Sequence, residues 1–346
     1  SCSARFNVLI VLEGESDSTT ALVFGDIAHI VSHGLTSLGH KSRIVYCTNL
    51  VTDKCFDDDE ILIVLAAHNL ASFITSEDHL AALHGNLIPK HAVLYNFEYV
   101  PDHPASTPSS GSLISNDTLL IYNDGYIVWE YAEENQRRLI SRGIRAQLVP
   151  LGYSPVWGRS QVYDKHSGDK AHWDGESVHG VENIDVLFIG KETRLRQFII
   201  NQLRKAGITV VHPNAAAIEL FGDDFDAMSA VSKIVLSLNA FETPTDECNT
   251  THPSCDRGEW KIARLARLLA NSRFIIAEMS GSVSERSKYH GGLVFAPTGD
   301  LAEACQYYLQ RPLERRIIAN RGRELYELQE EAQLLRHPVE QLLLQA

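Results

Sequence analysis

DVLFIGKETRLRQFIINQLRKAGITVV, residues 185–211, is the stretch whose reading decides the fold. Residues 185–189 form a short apolar run that stops at Gly190, as a buried strand does. Residues 192–206 then carry Leu195, Phe198, Ile199 and Leu203 at helical spacing on one face. Residues 208–211 return to β-branched and apolar side chains. Strand, helix and strand in this order make a βαβ unit, which needs a parallel sheet.

Working outward, the pattern continues downstream. Residues 225–231 read as a helix, 234–238 as a strand, 260–270 as a helix, 274–277 and 293–296 as strands, and 301–309 as a helix. After Pro312 the chain reads as helical to its end, and such a tail can return to pack on an earlier domain. Upstream, the same alternation occupies an independent stretch. Residues 6–13 (FNVLIVLE) are a buried strand and 19–38 a helix. Strands follow at 43–47, 60–67, 91–99 and 118–122, then a helix at 126–142 and a strand at 147–151. Between the two runs, residues 157–183 are polar and aperiodic, as a linker is. The expected organisation is an N-terminal domain over 1–155, a linker over 156–183, a second domain over 184–312, and C-terminal helices over 313–346 packing back on the first domain. The expected fold class is α/β, with two Rossmann-like domains facing each other across a cleft.

With 346 residues, two domains are the ordinary count. The net charge of −13 argues against duplex nucleic acid as a partner, because that partner requires a basic face. No apolar run is long enough to span a bilayer, and the N-terminus leads straight into a strand without a signal peptide, so a cytoplasmic protein is expected. Of six cysteines, Cys2, Cys47, Cys55 and Cys305 are scattered, while Cys248 and Cys255 share a polar loop with His252. That pair lacks the ligand set of a zinc site and reads as loop thiols, or as a disulfide in an oxidising compartment. Asn116-Asp117-Thr118 and Asn249-Thr250-Thr251 match the glycosylation sequon, a pattern that arises often by chance.

Ligands of parallel sheets bind where strand carboxyl ends and helix N-termini gather. No dinucleotide fingerprint, Walker A loop, nucleophile elbow or HExxH pair is present. In the second half, Gly190 lets backbone approach a phosphate, with Lys191, Thr193, Arg194 and Arg196 following it, although an ordinary solvated helix start looks the same. Gly258-Glu259-Trp260-Lys261 opens a helix that continues to Arg264 and Arg267: a carboxylate for sugar hydroxyls and cations for phosphate, or simply charges that suit the helix dipole. Glu278 and Ser280 follow the strand FIIA at its carboxyl end, with Glu285 and Tyr289 beyond. In the first half, His68, Tyr95, Asn96, Glu98 and Asp124 stand at the ends of expected strands. His68, Glu98 and Asp124 are candidates to position or deprotonate an acceptor, and Tyr95 and Asn96 to bind it. His68 reads equally well as a structural histidine.

At these residues the chain resembles the GT-B-fold glycosyltransferases, in particular the spore-maturation-like branch of the "glycosyl transferases group 1". The likeness rests on EWKIARLARLLANSRFIIAE (259–278), LVFAP (293–297) and DLAEACQYYLQRPLERRIIANRGRELY (300–326). VLYNFE (93–98), VWEYAEEN (128–135) and VPLGY (149–153) carry it into the first half. The resemblance implies a sugar-nucleotide donor, such as a UDP-sugar, in the second domain and a hydroxyl acceptor at the first. It implies a hexosyl- or pentosyltransferase that needs no metal or other cofactor. Of the family's two donor-binding glutamates, the first falls on Glu259. The second falls on Arg267, so stereochemistry does not carry over and ribose recognition passes to another group such as Glu278. Asp57-Asp58-Asp59 and Asp223-Asp224-Phe225-Asp226 read as turns rather than as a metal-binding DxD motif. A two-lobed sugar- or nucleotide-binding protein and a sugar-nucleotide epimerase share this architecture and are the competing readings.

Overall fold

The computed structural model describes residues 3–12, 18–50, 55–73, 88–89, 91–100, 114–157, 183–190, 192–213, 222–238, 262–279 and 283–345. They fall into two compact units, residues 1–156 with 329–346, and residues 157–328. Among the described residues, no helix is long and apolar enough to cross a membrane.

In the first unit, β1 (Arg5–Val11), β2 (Lys41–Cys47), β3 (Ile61–Leu65), β4 (Val93–Asn96), β5 (Ile127–Glu130) and β6 (Ala146–Leu148) form a parallel sheet in the order β2-β1-β3-β4-β5-β6. The strands β1 and β3 are buried along nearly their whole length because helices cover a parallel sheet on both faces. Helix α1 (Ser18–Ser37) packs on this sheet, α2 (Asn116–Tyr122) lies beside the 3-10 turn Ala67–Phe73, and α3 (Glu133–Ser141) packs along β6. At the entrance to β1 and β3, Glu60 binds Arg43 through two charge-assisted bonds of 2.6 and 2.5 Å and accepts from Asn7 Nδ2 at 3.2 Å.

The segment after β4 differs from the sequence expectation. Residues 118–122 belong to helix α2 and residues 127–130 to strand β5. TLLIY is too short for periodicity to separate strand from helix. The deciding local signal is Ser115, whose hydroxyl accepts the Thr118 N–H and caps the helix. Asn123-Asp124-Gly125 is then the turn into the strand, with Gly125 in the left-handed region at φ 86°.

In the second unit, β7 (Ile184–Phe188), β8 (Val210–Val211), β9 (Ser232–Ser237), β10 (Ile275–Glu278) and β11 (Val294–Ala296) form a parallel sheet ordered β11-β10-β9-β7-β8. Helices α4 (Arg194–Lys205), α5 (Gly222–Ala230), α6 (Ile262–Ala270), α7 (Val283–Ser287) and α8 (Leu301–Leu309) connect or flank these strands. Its core joins Phe188, Ile200, Leu203, Leu236, Ile276 and Cys305.

The terminal helices, expected together on the first domain, divide between the units. Helix α9 (Pro312–Glu327) packs on α6 in the second unit, whereas α10 (Glu331–Gln345) packs on α1 in the first. Glycines make both contacts close. A Cβ on Gly34 would stand 2.7 Å from Glu331 Cγ and Leu335 Cδ1, and one on Gly322 of α9 would stand 3.2 Å from Leu269 Cδ2 of α6. The segment 223–226 is not a turn but part of α5, where Asp226 pairs bidentately with Arg267 of α6 at 2.8 Å. Cys47 and Cys55, read as scattered, form a disulfide with Cα atoms 5.8 Å apart. Cys248 and Cys255 lie outside the described residues.

Candidate functional site

The carboxyl edge of the second sheet gathers three of the expected donor-site positions within a common frame. In register, Phe188 pairs with Leu236 and Ala277 with Ser237. Continuing by two and one residues brings Gly190 and Glu278 level with Leu238, one on either side of it. At ~4.8 Å between strands, they are separated by roughly 10 Å. Glu278 is buried and accepts a hydrogen bond from Thr298 Oγ1 at 2.5 Å, which fixes the carboxylate at the strand end. Arg194, the first residue of α4, is exposed beside this edge. The helix is capped by Thr193, whose hydroxyl accepts from Arg196 N at 3.3 Å.

Arg196, expected from sequence among the cations beside Gly190, instead ties this edge together from within. Arg196 is fully buried, although arginine is rarely so. Its Nη2 donates to Leu238 O at 2.8 Å, and its guanidinium lies over the Phe188 ring, 5.3 Å from the centroid. It also underlies the loop, since a Cβ on Gly190 would come within 3.3 Å of Arg196 Nη1. His212 closes the other side, with Nε2 3.0 Å from Gly190 O and its ring 4.8 Å from that of Phe188. A Cβ at Gly190 would thus sit tightly against the Phe188 and Arg196 side chains, and a buried guanidinium lies directly below it. The place of Arg196 on the apolar side of the helix, with Ile199, Ile200 and Leu203, is what buries it rather than leaving it beside Arg194 in solvent.

The Arg267 guanidinium is engaged by a bidentate pair with Asp226 and by stacking on Trp157 at 4.2 Å. Glu285 and Tyr289 are buried against the same unit. Lys191, Glu259, Lys261, Ser280 and the side chain of Arg264 lie outside the described residues.

In the first unit, His68 and Glu98 stand at the carboxyl edge, but Asp124 does not. Because residues 118–122 are a helix, Asp124 precedes β5 and lies at the amino edge, opposite His68 and Glu98. Its nearest electrostatic effect is on Tyr126, whose hydroxyl is pushed up to about 12 by burial first and by the Asp124 charge second. His68 is buried in the 3-10 turn, 5.8 Å from the ring of Phe24, at the head of a run of aromatic contacts through Phe97 and Tyr131. The turn that delivers it begins at Ala66, a non-glycine residue at φ 53°, a conformation that costs about 1 kcal/mol and is found disproportionately at functional edges.

Tyr95 and Asn96 are wholly engaged with the protein itself. Tyr95 is fully buried and donates to Val149 O at 2.5 Å. Asn96 gives one amide hydrogen to Glu130 at 2.6 Å and the other to Glu98 O at 2.8 Å. Its carbonyl oxygen accepts from Tyr122 OH at 3.1 Å and Glu98 N at 3.2 Å. Two donors and two lone pairs are the whole capacity of an asparagine side chain. The centre of this network is Glu130, a residue missed in the sequence: fully buried, it also accepts from Ala132 N at 3.0 Å and Asn135 Nδ2 at 3.3 Å. Burial first, then the charges of Glu130 and Glu98, hold the Tyr122 hydroxyl well above its ordinary range. Among the described residues, no group of three or more histidine, cysteine or carboxylate side chains could hold a metal ion.

No protein-family profile matches the chain, and no curated protein matches it in sequence. Solved structures do. A crystal structure of Anabaena HepE in complex with UDP and glucose superposes with a TM-score of 0.57 at 10% identity, covering 97% of this chain and 98% of that one. Sucrose-phosphate synthase from Thermosynechococcus elongatus gives 0.55 at 10% identity over 99% of this chain and 100% of that one. AviGT4, a glycosyltransferase involved in avilamycin A biosynthesis, gives 0.53 at 12% identity over 97% of both chains. Likeness of this kind shows the fold: the chain has the α/β architecture of two Rossmann-like units found in GT-B glycosyltransferases.

Proposed function

We propose that the chain is a glycosyltransferase that moves a sugar from a nucleoside-diphosphate sugar, with UDP as the leading nucleotide, to a hydroxyl acceptor. The observation that carries this reading is the length of the likeness. A single Rossmann-like unit hosts many functions. Here both units, in the same order, match HepE with bound UDP and glucose over 97% of the chain.

The donor is assigned to the carboxyl edge of the second unit. Gly190 and the start of α4 would receive the diphosphate, with Lys191, Arg194, Lys261 and Arg264 as its cations. Glu259, Glu278 and Ser280 would contact sugar and ribose. In the transfer, the bond from the anomeric carbon to the diphosphate oxygen breaks and a bond to the acceptor oxygen forms. Positive side chains and a helix N-terminus stabilise the departing charge, which makes a metal unnecessary. In this reading His68 and Glu98, at the carboxyl edge of the first unit, orient the acceptor or take its proton; Tyr95, Asn96 and Asp124 are not proposed for this. The Cys47–Cys55 disulfide favours an oxidising compartment over the cytoplasm expected from sequence.

The test is calorimetric titration with UDP, GDP, ADP and dTDP, followed by turnover with the matching UDP- or other sugar nucleotide with and without EDTA. Saturable binding of one nucleoside diphosphate, turnover that survives EDTA, and at least a tenfold loss of kcat/KM in Glu278→Gln are expected. A chain that binds free sugar but none of the diphosphates is a sugar receptor, and the proposal fails.

A further inference from the structure

The chain passes between its two units twice, after Val156 and before Gln329. The two crossing stretches are stitched together within the first unit. Tyr153 N donates to Gln329 O at 2.7 Å, and Glu331 N donates to Tyr153 O at 2.9 Å. A third bond comes from a side chain: Gly152 N donates to Glu331 Oε2. The approach is so close that a Cβ on Gly152 would stand 2.8 Å from Glu331 N. The Glu331 side chain is enclosed. Only 1% of the residue is exposed, Gly34 of α1 presses on its Cγ, and Oε1 is buried with no hydrogen-bond partner.

A carboxylate with one amide donor and no cation is an expensive group to bury, whereas the neutral acid leaves only a hydroxyl unmet. We propose that Glu331 is a proton-held latch on this double crossing: with its carboxyl protonated the stretches 152–154 and 329–331 stay joined, and when the proton leaves to solvent they part. The inference is independent of the transferase reading. Its electrostatics are simple. Burial pushes the Glu331 carboxyl up to about 8, with the Gly152 N–H drawing it partly back. The titratable groups on the packed elements are Asp26, His29 and His33 on α1, Tyr153 on the crossing, Glu330 beside it, and Arg336, His337 and Glu340 on α10. All are exposed or half-exposed, and none acts on Glu331.

The sign follows from linkage. The carboxyl binds its proton more tightly when enclosed, so the closed crossing is favoured fully below about pH 4.5 and loses that advantage as pH rises to about 8. With these two values, the opening equilibrium rises about 30-fold between pH 6.5 and 9 and levels off above that range. The experiment is amide hydrogen exchange on the full chain across this range, corrected for the intrinsic pH dependence of exchange. Amides of 149–156 and 327–335 should open about 30-fold more in the wild type, while those of β7 and β9 stay level. Glu331→Gln, which keeps an acceptor for Gly152 but cannot ionise, should show no rise. In parallel, the Gly152 amide resonance of the wild type should titrate with a midpoint near 8; that measurement decides the matter even if the variant does not fold. A flat wild-type profile, a Gly152 midpoint below 6, or an equal rise in Glu331→Gln overturns the proposal.

Discussion

Replacing Gly322 by alanine tests the packing of the second unit. Gly322 lies in the middle of α9, where alanine would ordinarily gain about 1 kcal/mol through helix propensity. The structure reverses that sign. An added Cβ would land on the carbonyl oxygen of Gly292 and reach 3.2 Å from Leu269 Cδ2. The nearest obstacle is backbone, so no rotamer change relieves it; the helix must move away by roughly 1 Å, loosening the seats of Ala319 and Tyr326. Overpacking of this kind costs about 1–3 kcal/mol, and the packing lost as the helix lifts adds to it. After the propensity gain, a net loss of about 2–3 kcal/mol is expected. In a unit of this size, that lowers the melting temperature by roughly 5–10 °C, measured by scanning calorimetry on the full chain. Gly299→Ala is the control, because its Cβ would meet nothing within 4 Å and its φ is not left-handed. Should Gly322→Ala melt at or above the wild type, the close approach of α9 to the 291–292 turn is wrong.

Two further outcomes concern buried ionic groups. Arg267→Ala should destabilise the chain by about 3–5 kcal/mol in urea denaturation, since it strands Asp226 and unstacks Trp157; Arg267→Met with Asp226→Leu should recover much of that loss. Glu60 is held at about 2, by the Arg43 hydrogen bonds above all. Its folded value is depressed, so its stabilisation is present above about pH 4.5 and lost as pH falls to about 2. The full shift would correspond to ~3 kcal/mol. With the Arg43 side chain 47% exposed, solvent screening reduces this to about 1–2 kcal/mol. Acid denaturation of Glu60→Gln should therefore show a shallower fall over that interval than the wild type.

The parallel-sheet architecture was legible because buried strands such as 61–65 and 184–188 are unbroken apolar runs, and the helices between them keep a 3.6-residue period. The reading failed where a run was short enough to satisfy either period. TLLIY was read as a strand and the real strand, IVWE, was absorbed into a helix with its successor. The Ser115 cap and the Asn123-Asp124-Gly125 turn carried the correct answer. That one error moved Asp124 to the opposite edge of the sheet, where it can share no site with His68. The Cys47–Cys55 bridge could not be read from spacing, because it depends on the connection after β2 folding back until Asn7 Nδ2 reaches Cys55 O at 3.0 Å.

The candidate site shows a deeper limit. A polar residue at a strand's carboxyl end has two possible duties: to bind a ligand, or to satisfy backbone groups where the ladder stops. Composition is the same in both cases. What separates them is how much of the side chain's bonding capacity the fold already uses. Asn96 uses all of it, on Glu130, Glu98 and Tyr122. Asn69 likewise turns inward, donating to Val11 O at 2.8 Å. Such residues build the edge on which ligand-binding groups stand. Arg196 belongs with them: buried beneath Gly190 and bonded to Leu238 O, it braces the turn.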